Sequence, residues 1–223
     1  MSDDQELFAG DFSEWLEEAE GAIRRGEVSD VPCDGCTACC RSSQFIHIAP
    51  DEADALAHVP AALLFAAPGL PAGHVLMGYD ERGHCPLLVD DRCSIYEHRP
   101  RTCRTYDCRV IAATGVELDA DQHRIAERAA HWRFGHPTEI DEVRHDAVRA
   151  AATYVSAHRD DLPAGAVPGN PTQLAVLAID VHDVFLGGDD PTGRPVVVQP
   201  ELAAVRVALV DRARRSTSRD ADG

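Results

Sequence analysis

The chain has 223 residues, of which 44% are apolar, and a formal net charge of -17 from 38 acidic and 21 basic side chains. That length allows one well-filled domain or a small module joined to a larger one, and the apolar content excludes a disordered chain. An acidic surface repels phosphate, so nucleic acid and anionic membrane are excluded as default partners, and the absence of lysine removes Schiff-base, pyridoxal-anchoring and P-loop lysine chemistry.

The N-terminus, Met-Ser-Asp-Asp-Gln-Glu, is acidic where a signal peptide would be positive and then apolar. An amphipathic helix is expected after Asp11, which can cap it with Glu14 three residues on. Phe12, Trp15, Leu16, Ala19 and Ile23 fall on one face, and Arg24-Arg25-Gly26 ends it. Val31 to Ser43 reads as a cysteine-rich loop, Gln44 to Ala49 as a short strand, and Pro50 to about Ala66 as a helix. His74 to Tyr79 and Leu87 to Asp90 read as strands around the turn residues Asp80 to Gly83. Beyond Cys108 helical patterns dominate, at about 120–134, 138–158, 171–186 and 200–215, with a brief strand at Val196 to Val198. Ile140, Val143, Ala147, Ala151, Tyr154 and Val155 form one helical stripe, and the segment from Leu174 to Ile179, apolar all round, reads as a buried helix. No apolar run is long enough for a membrane span, Leu174 to Val181 being interrupted by Asp180. A cytoplasmic location follows as the expectation, with four segments: an N-terminal helix over 1–30, a cysteine module over 31–110, an α-helical region over 111–215 and a disordered tail over 216–223. The fold class is α+β, mostly α, a small cysteine-rich module with short strands packed with a helical C-terminal half.

The chemistry lies in eight cysteines, all between Cys33 and Cys108. The first group is Cys33-x-x-Cys36-x-x-Cys39-Cys40. The second is Cys85, Cys93, Cys103 and Cys108. In a reducing compartment cysteines serve as metal ligands or redox groups more often than as disulfides. Two residues between cysteines let a tight turn aim both sulfurs at one ion, and Gly35 permits that turn. Inert buried cysteines would be scattered along the chain, and these are not. Zinc and iron–sulfur clusters both suit thiolates, so either metal, and one site or two, stays open. The ferredoxin spacing is incomplete because Cys40 follows Cys39 directly, and the radical-SAM spacing is absent. Adjacent Cys39 and Cys40 point in different directions on most backbones, so they are expected to divide between roles.

These motifs, continued by Gly83-x-Cys85-Pro86-x-Leu88, Cys93-x-Ile95-Tyr96 and Arg99-Pro100-x-x-Cys103-Arg104, resemble the YkgJ-like cysteine-cluster family. That resemblance covers about residues 33 to 108. It implies chelation of zinc or iron by the motif cysteines, and the family includes a flagellin lysine methylase associated with an iron–sulfur centre. Cys108 falls outside the commonest family pattern.

Four thiolates on a divalent ion leave a net negative charge that donors must offset, a role open to Arg99 and Arg104 beside Cys103. Pro100 pre-sets a turn that lets Cys103 face back toward Cys93. Tyr96 reads as a packing residue. His47, His84 and His98 lie near the cysteines, and His84 could replace one of them as a ligand. His123, His131, His136 and His145 lack the His-Glu-x-x-His arrangement and read as surface or packing residues. Three functions remain: a metal-binding protein stabilised by its ion, an iron–sulfur oxidoreductase or group-transfer enzyme, and a thiol redox sensor. Nothing in the residues points to a protein partner or a named substrate.

Overall fold

The protein is described by a computed structural model covering residues 6–25, 31, 35–188 and 193–222; Gly26, Cys33 and Gly223 lie outside the described residues. In chain order the elements are β1 (Leu7–Asp11), α1 (Phe12–Arg25), β2 (Ile46–Ile48), α2 (Ala53–His58), β3 (Leu64–Ala66), β4 (Val75–Met77), β5 (Leu88–Val89), β6 (Arg92–Cys93), α3 (Arg101–Thr105), α4 (Arg109–Thr114), α5 (His123–Ala130), β7 (Trp132–Gly135), α6 (Glu139–Ala157), α7 (Pro171–Val181) and α8 (Leu202–Asp222). The chain is mostly α with short strands, as its patterns imply. No helix among the described residues is long and apolar enough to cross a membrane.

Two compact units divide the chain. A helical unit comprises Met1–Glu27, Cys108–Leu118 and Ala129–Gly223; a cysteine unit comprises Val28–Asp107 and Asp119–Arg128. The N-terminal helix therefore belongs with the C-terminal helices.

In the helical unit, α1 buries Phe12, Trp15, Leu16 and Ala19, the face that its periodicity marks. That face packs with Val110, Ile111 and Ala113 of α4, Val148 of α6 and Ala175 and Ile179 of α7. The N–H of Ser13, in the first turn of α1, donates to Asp141 at 3.0 Å, and the same carboxylate closes a capping box with Thr138 at the start of α6. Burial pushes the Asp141 carboxyl up, but the hydrogen bonds from Thr138 and Ser13 outweigh it and hold it well below the usual range. Helix α7 is buried nearly all round, as expected, and its buried Asp180 pairs with Arg24, Arg212 and Arg215. Ile140 breaks the expected stripe of α6: it is 50% exposed, while its neighbour Asp141 is the first-turn residue that is buried.

Strands β1 and β7 were not apparent from local pattern. They pair in parallel, Leu7 with Trp132 and Asp11 with Gly135, so the helix expected over 120–134 stops at α5 and the chain straightens. Gly135 leaves room there for the Asp11 carboxylate, which a Cβ would push aside. The helix α8 continues over residues 216–222, read from the sequence as a tail. The strand expected at Val196 to Val198 is a single bridge from Val197 to Leu186.

The cysteine unit is built on a three-stranded antiparallel sheet of order β2-β4-β3, with Ile46 opposite Met77 and Leu64 opposite Met77 on the other side. Its apolar centre is small: Ile48, Ala55, Val59, Met77 and Leu87. The helix expected from Pro50 to Ala66 is shorter, because Pro60 has no N–H to continue it and holds Val59 extended at ψ 123; residues 64–66 become β3 instead.

Candidate metal centre

Two backbone links bring the cysteine groups together within this unit. The Cys85 N–H donates to the Cys40 carbonyl at 2.7 Å, and the Ser43 N–H to the Gly83 carbonyl at 2.9 Å. Gly83 has φ +77, and a Cβ on it would lie 2.4 Å from Ser43 Oγ, so the glycine of the Gly-x-Cys motif is needed for this approach. Asp80 shapes the turn before it, accepting from the N–H groups of Arg82 and His84 at 2.9 and 2.8 Å.

Cys85 then leads into the β5–β6 hairpin, where Leu88 pairs with Cys93. Asp90 and Asp91 at its tip both have positive φ, the requirement of a two-residue type I′ turn. Asp91 pairs with Arg41, tying the tip to the first cysteine loop. Cys103 is carried on α3, which is docked on β2: Thr102 Oγ1 donates to the His47 carbonyl at 2.7 Å. The buried Glu52 accepts from the N–H of Ala49 and from that of Arg101, at the start of α3.

The seven described cysteines are half-buried free thiols, and Cys85 packs against the apolar centre of the unit. Cys36 accepts from the Ala38 N–H at 3.5 Å, the amide-to-sulfur contact of a Cys-x-x-Cys turn. Burial pushes the Cys85 thiol up; the amides of Leu87 and Leu88 oppose that shift, while the charges of Cys93 and Cys39 add to it. Cys103 is pushed up to about 12, by burial first and then by the charges of Cys39, Cys85 and Cys93, with Arg99 opposing. Cys39 is raised by its hydrogen bond with the Cys40 thiol, by burial and by the Cys40 charge. Cys85 and Cys103 thus both feel the charges of Cys39 and Cys93, and Cys103 that of Cys85. Yet among the described residues no three sulfurs have closed to within 4.8 Å of one another. A cation would reverse the mutual repulsion that disfavours four thiolates, and the amides at Cys85 suit a thiolate ligand, so the donor set fits a thiophilic ion.

Cys108 is the residue at the start of α4. It belongs to the helical unit, and its sulfur accepts a hydrogen bond from Trp132 Nε1 at 3.2 Å. Among the described residues Arg99 does not donate to sulfur: its Nε donates to the Tyr96 carbonyl at 2.8 Å and its guanidinium covers the Tyr96 ring at 3.6 Å, leaving the phenol half exposed. The Arg104 charge acts on Asp54. The His84 N–H is used in the Asp80 turn, and His47 pairs with His74 at 2.9 Å. The contribution of Glu52 and of the Gly83–Ser43 approach was not foreseen; Gly83 lies in a quoted motif, but Glu52 carries no local signal.

No curated protein and no solved structure matches the chain. Residues 32–130 match the model of the CxxCxxCC family, described as "Putative zinc- or iron-chelating domain", a stretch that takes in nearly all of the cysteine unit. That segment holds the motifs that carry the resemblance, and the description of the matching family supports metal binding.

Proposed function

We propose that the cysteine unit is a metal-binding module in which Cys39, Cys85, Cys93 and Cys103 hold zinc or iron through their thiolates. Cys33, Cys36 and Cys40 flank them in the first loop. The observation that carries this reading is the joining of the two cysteine groups: the Cys85 N–H donates to the Cys40 carbonyl at 2.7 Å, Cys93 pairs with Leu88 in the hairpin that follows, and Thr102 docks α3, which carries Cys103. The proposed set is narrower than all eight, since the Cys108 sulfur is engaged by Trp132. A bound ion supplies positive charge against the thiolates and free energy toward folding. The chain's own part is to present the sulfurs: Gly83 and Ser43 join two loops, Glu52 and Thr102 dock α3, and Arg99 adds positive charge near Cys103. Free thiols suit a reducing, cytoplasmic setting.

Anaerobic purification with elemental analysis and a visible spectrum tests this. Stoichiometric zinc in a colourless protein assigns zinc, and brown colour with iron and sulfide assigns an iron–sulfur cluster. Cys85→Ser is expected to lose the metal; full metal content in that variant would overturn the ligand set.

A further inference from the structure

The cysteine unit also holds two imidazoles and a carboxylate that none of the thiol motifs uses. Asp54 and His58 stand one turn apart on α2, and His98 meets them from the 3-10 turn Tyr96–His98. His98 Nδ1 lies 3.0 Å from Asp54 Oδ2, and His58 Nδ1 lies 3.6 Å from Asp54 Oδ1. The two rings stack in parallel, with centroids 3.5 Å apart and 3° between planes. One ligand atom from each residue lies within 4.8 Å of those of the other two.

Those separations match a coordination sphere once the two half-exposed rings turn out of their stack, since an imidazole nitrogen binds an ion in its own ring plane. Bonds of about 2.0–2.2 Å from an ion to nitrogen or oxygen put neighbouring ligand atoms about 3.0–3.6 Å apart. Two nitrogens and one oxygen suit a borderline divalent ion; calcium and magnesium prefer all-oxygen shells. The side chains of Asp54, His58 and His98 are 69%, 40% and 40% exposed, so water can complete the coordination.

We propose that Asp54, His58 and His98 form a second, open site for a borderline divalent transition ion such as zinc. Binding replaces the proton that His98 shares with Asp54, and exchanges the hydrogen bond from His58 to the Asp54 carbonyl for a bond to the ion. Arg104 acts on the same carboxylate, and with the exposure this makes the site weak and exchangeable. His98 lies between Cys93 and Cys103 in the chain, so an ion here fixes the turn that joins two proposed thiolate ligands.

The full-length protein, carrying whatever metal it retains on purification, is titrated with zinc by calorimetry, with elemental analysis before and after. One weakly held equivalent is expected. In His58→Ala and in Asp54→Asn it should be lost or bind at least about tenfold more weakly, with the tightly held metal unchanged. Absence of the weak equivalent from the wild-type protein, or equal affinity in both variants, overturns the site. Loss of tight metal from Cys85→Ser reports on the thiolate reading alone, so the two can fail separately.

Discussion

The two units solve the problem of stability by different means. The helical unit buries long apolar faces against one another: α1, α4, α6 and α7 share a continuous set of fully buried side chains. The cysteine unit has strands of two or three residues and five buried apolar side chains at its centre. So small a core leaves little free energy after chain entropy is met, which is the circumstance in which a bound metal becomes part of the fold. The metal should therefore matter in the cysteine unit and not in the helical one. Its removal with a strong chelator under reducing conditions should release the amides of β2 and β4 to rapid hydrogen exchange while those of α6 and α7 stay protected. Apparent zinc contributions of about 10–16 kcal/mol in small zinc-dependent modules make this the largest effect expected. Equal protection of β2 and β4 with and without metal would remove the contrast.

Acid should strike the helical unit through its own buried groups. His145 stacks on Phe12 at 4.1 Å, meets His136 at 2.8 Å and faces the Ala113 carbonyl at 3.1 Å. Burial first, then the charges of Arg149 and His136, hold it down at about 4. Its unfolded value is near 6.5, so between those values the unfolded chain binds a proton that the folded one refuses, and stability rises with pH. The contribution is complete above about pH 6.5 and falls away toward pH 4, a loss on the order of 3 kcal/mol at about 1.4 kcal/mol per unit. Chemical denaturation of α6 and α7, followed across this range, should show a flatter profile in His145→Gln; an unchanged slope would contradict the assignment.

A smaller effect separates the geometry of the cysteine unit from its ligands. Gly83→Ala places a side chain at φ +77 against Ser43 without touching a sulfur. The conformational cost is about 1–2 kcal/mol, and it falls on the link between the two cysteine loops. Weaker metal retention against a competing chelator is expected, with the melting of the helical unit unchanged. Equal retention would mean that the loops meet without that turn.

What could be read in advance follows the range of the interactions. Helices α1, α6 and α7 were legible because their apolar spacing is local and their partners reward it. Strands β1 and β7 were not, because each exists by pairing with the other across most of the chain, and Trp132 to Gly135 would otherwise extend α5. Pro60 was a local signal passed over among the alanines and leucines around it. Helices α3 and α4 are shorter than the window in which periodicity shows. At the site, cysteine type and spacing announced metal chemistry, and the family match over residues 32–130 agrees. The docking of α3 by Glu52 and Thr102 is a three-dimensional fact with no trace in spacing.

Cys108 is the sharpest case, since by sequence it is the last of the eight cysteines. It begins α4 in the helical unit, and the Trp132 indole N–H donates to its sulfur at 3.2 Å. A thiol held this way acts as a hydrogen-bond acceptor and filler beside an aromatic ring, a role that serine can fill only in part, because its oxygen is smaller and sits closer to the chain. Cys108→Ser should therefore leave metal stoichiometry unchanged and lower the stability of the helical unit by about 1 kcal/mol. Cys103→Ser, five positions earlier, should do the reverse and release metal. Elemental analysis of the two variants, with denaturation of each, measures both quantities. Metal loss in Cys108→Ser comparable to that in Cys103→Ser would move the boundary between the units' chemistry past α3 and return Cys108 to the ligand set.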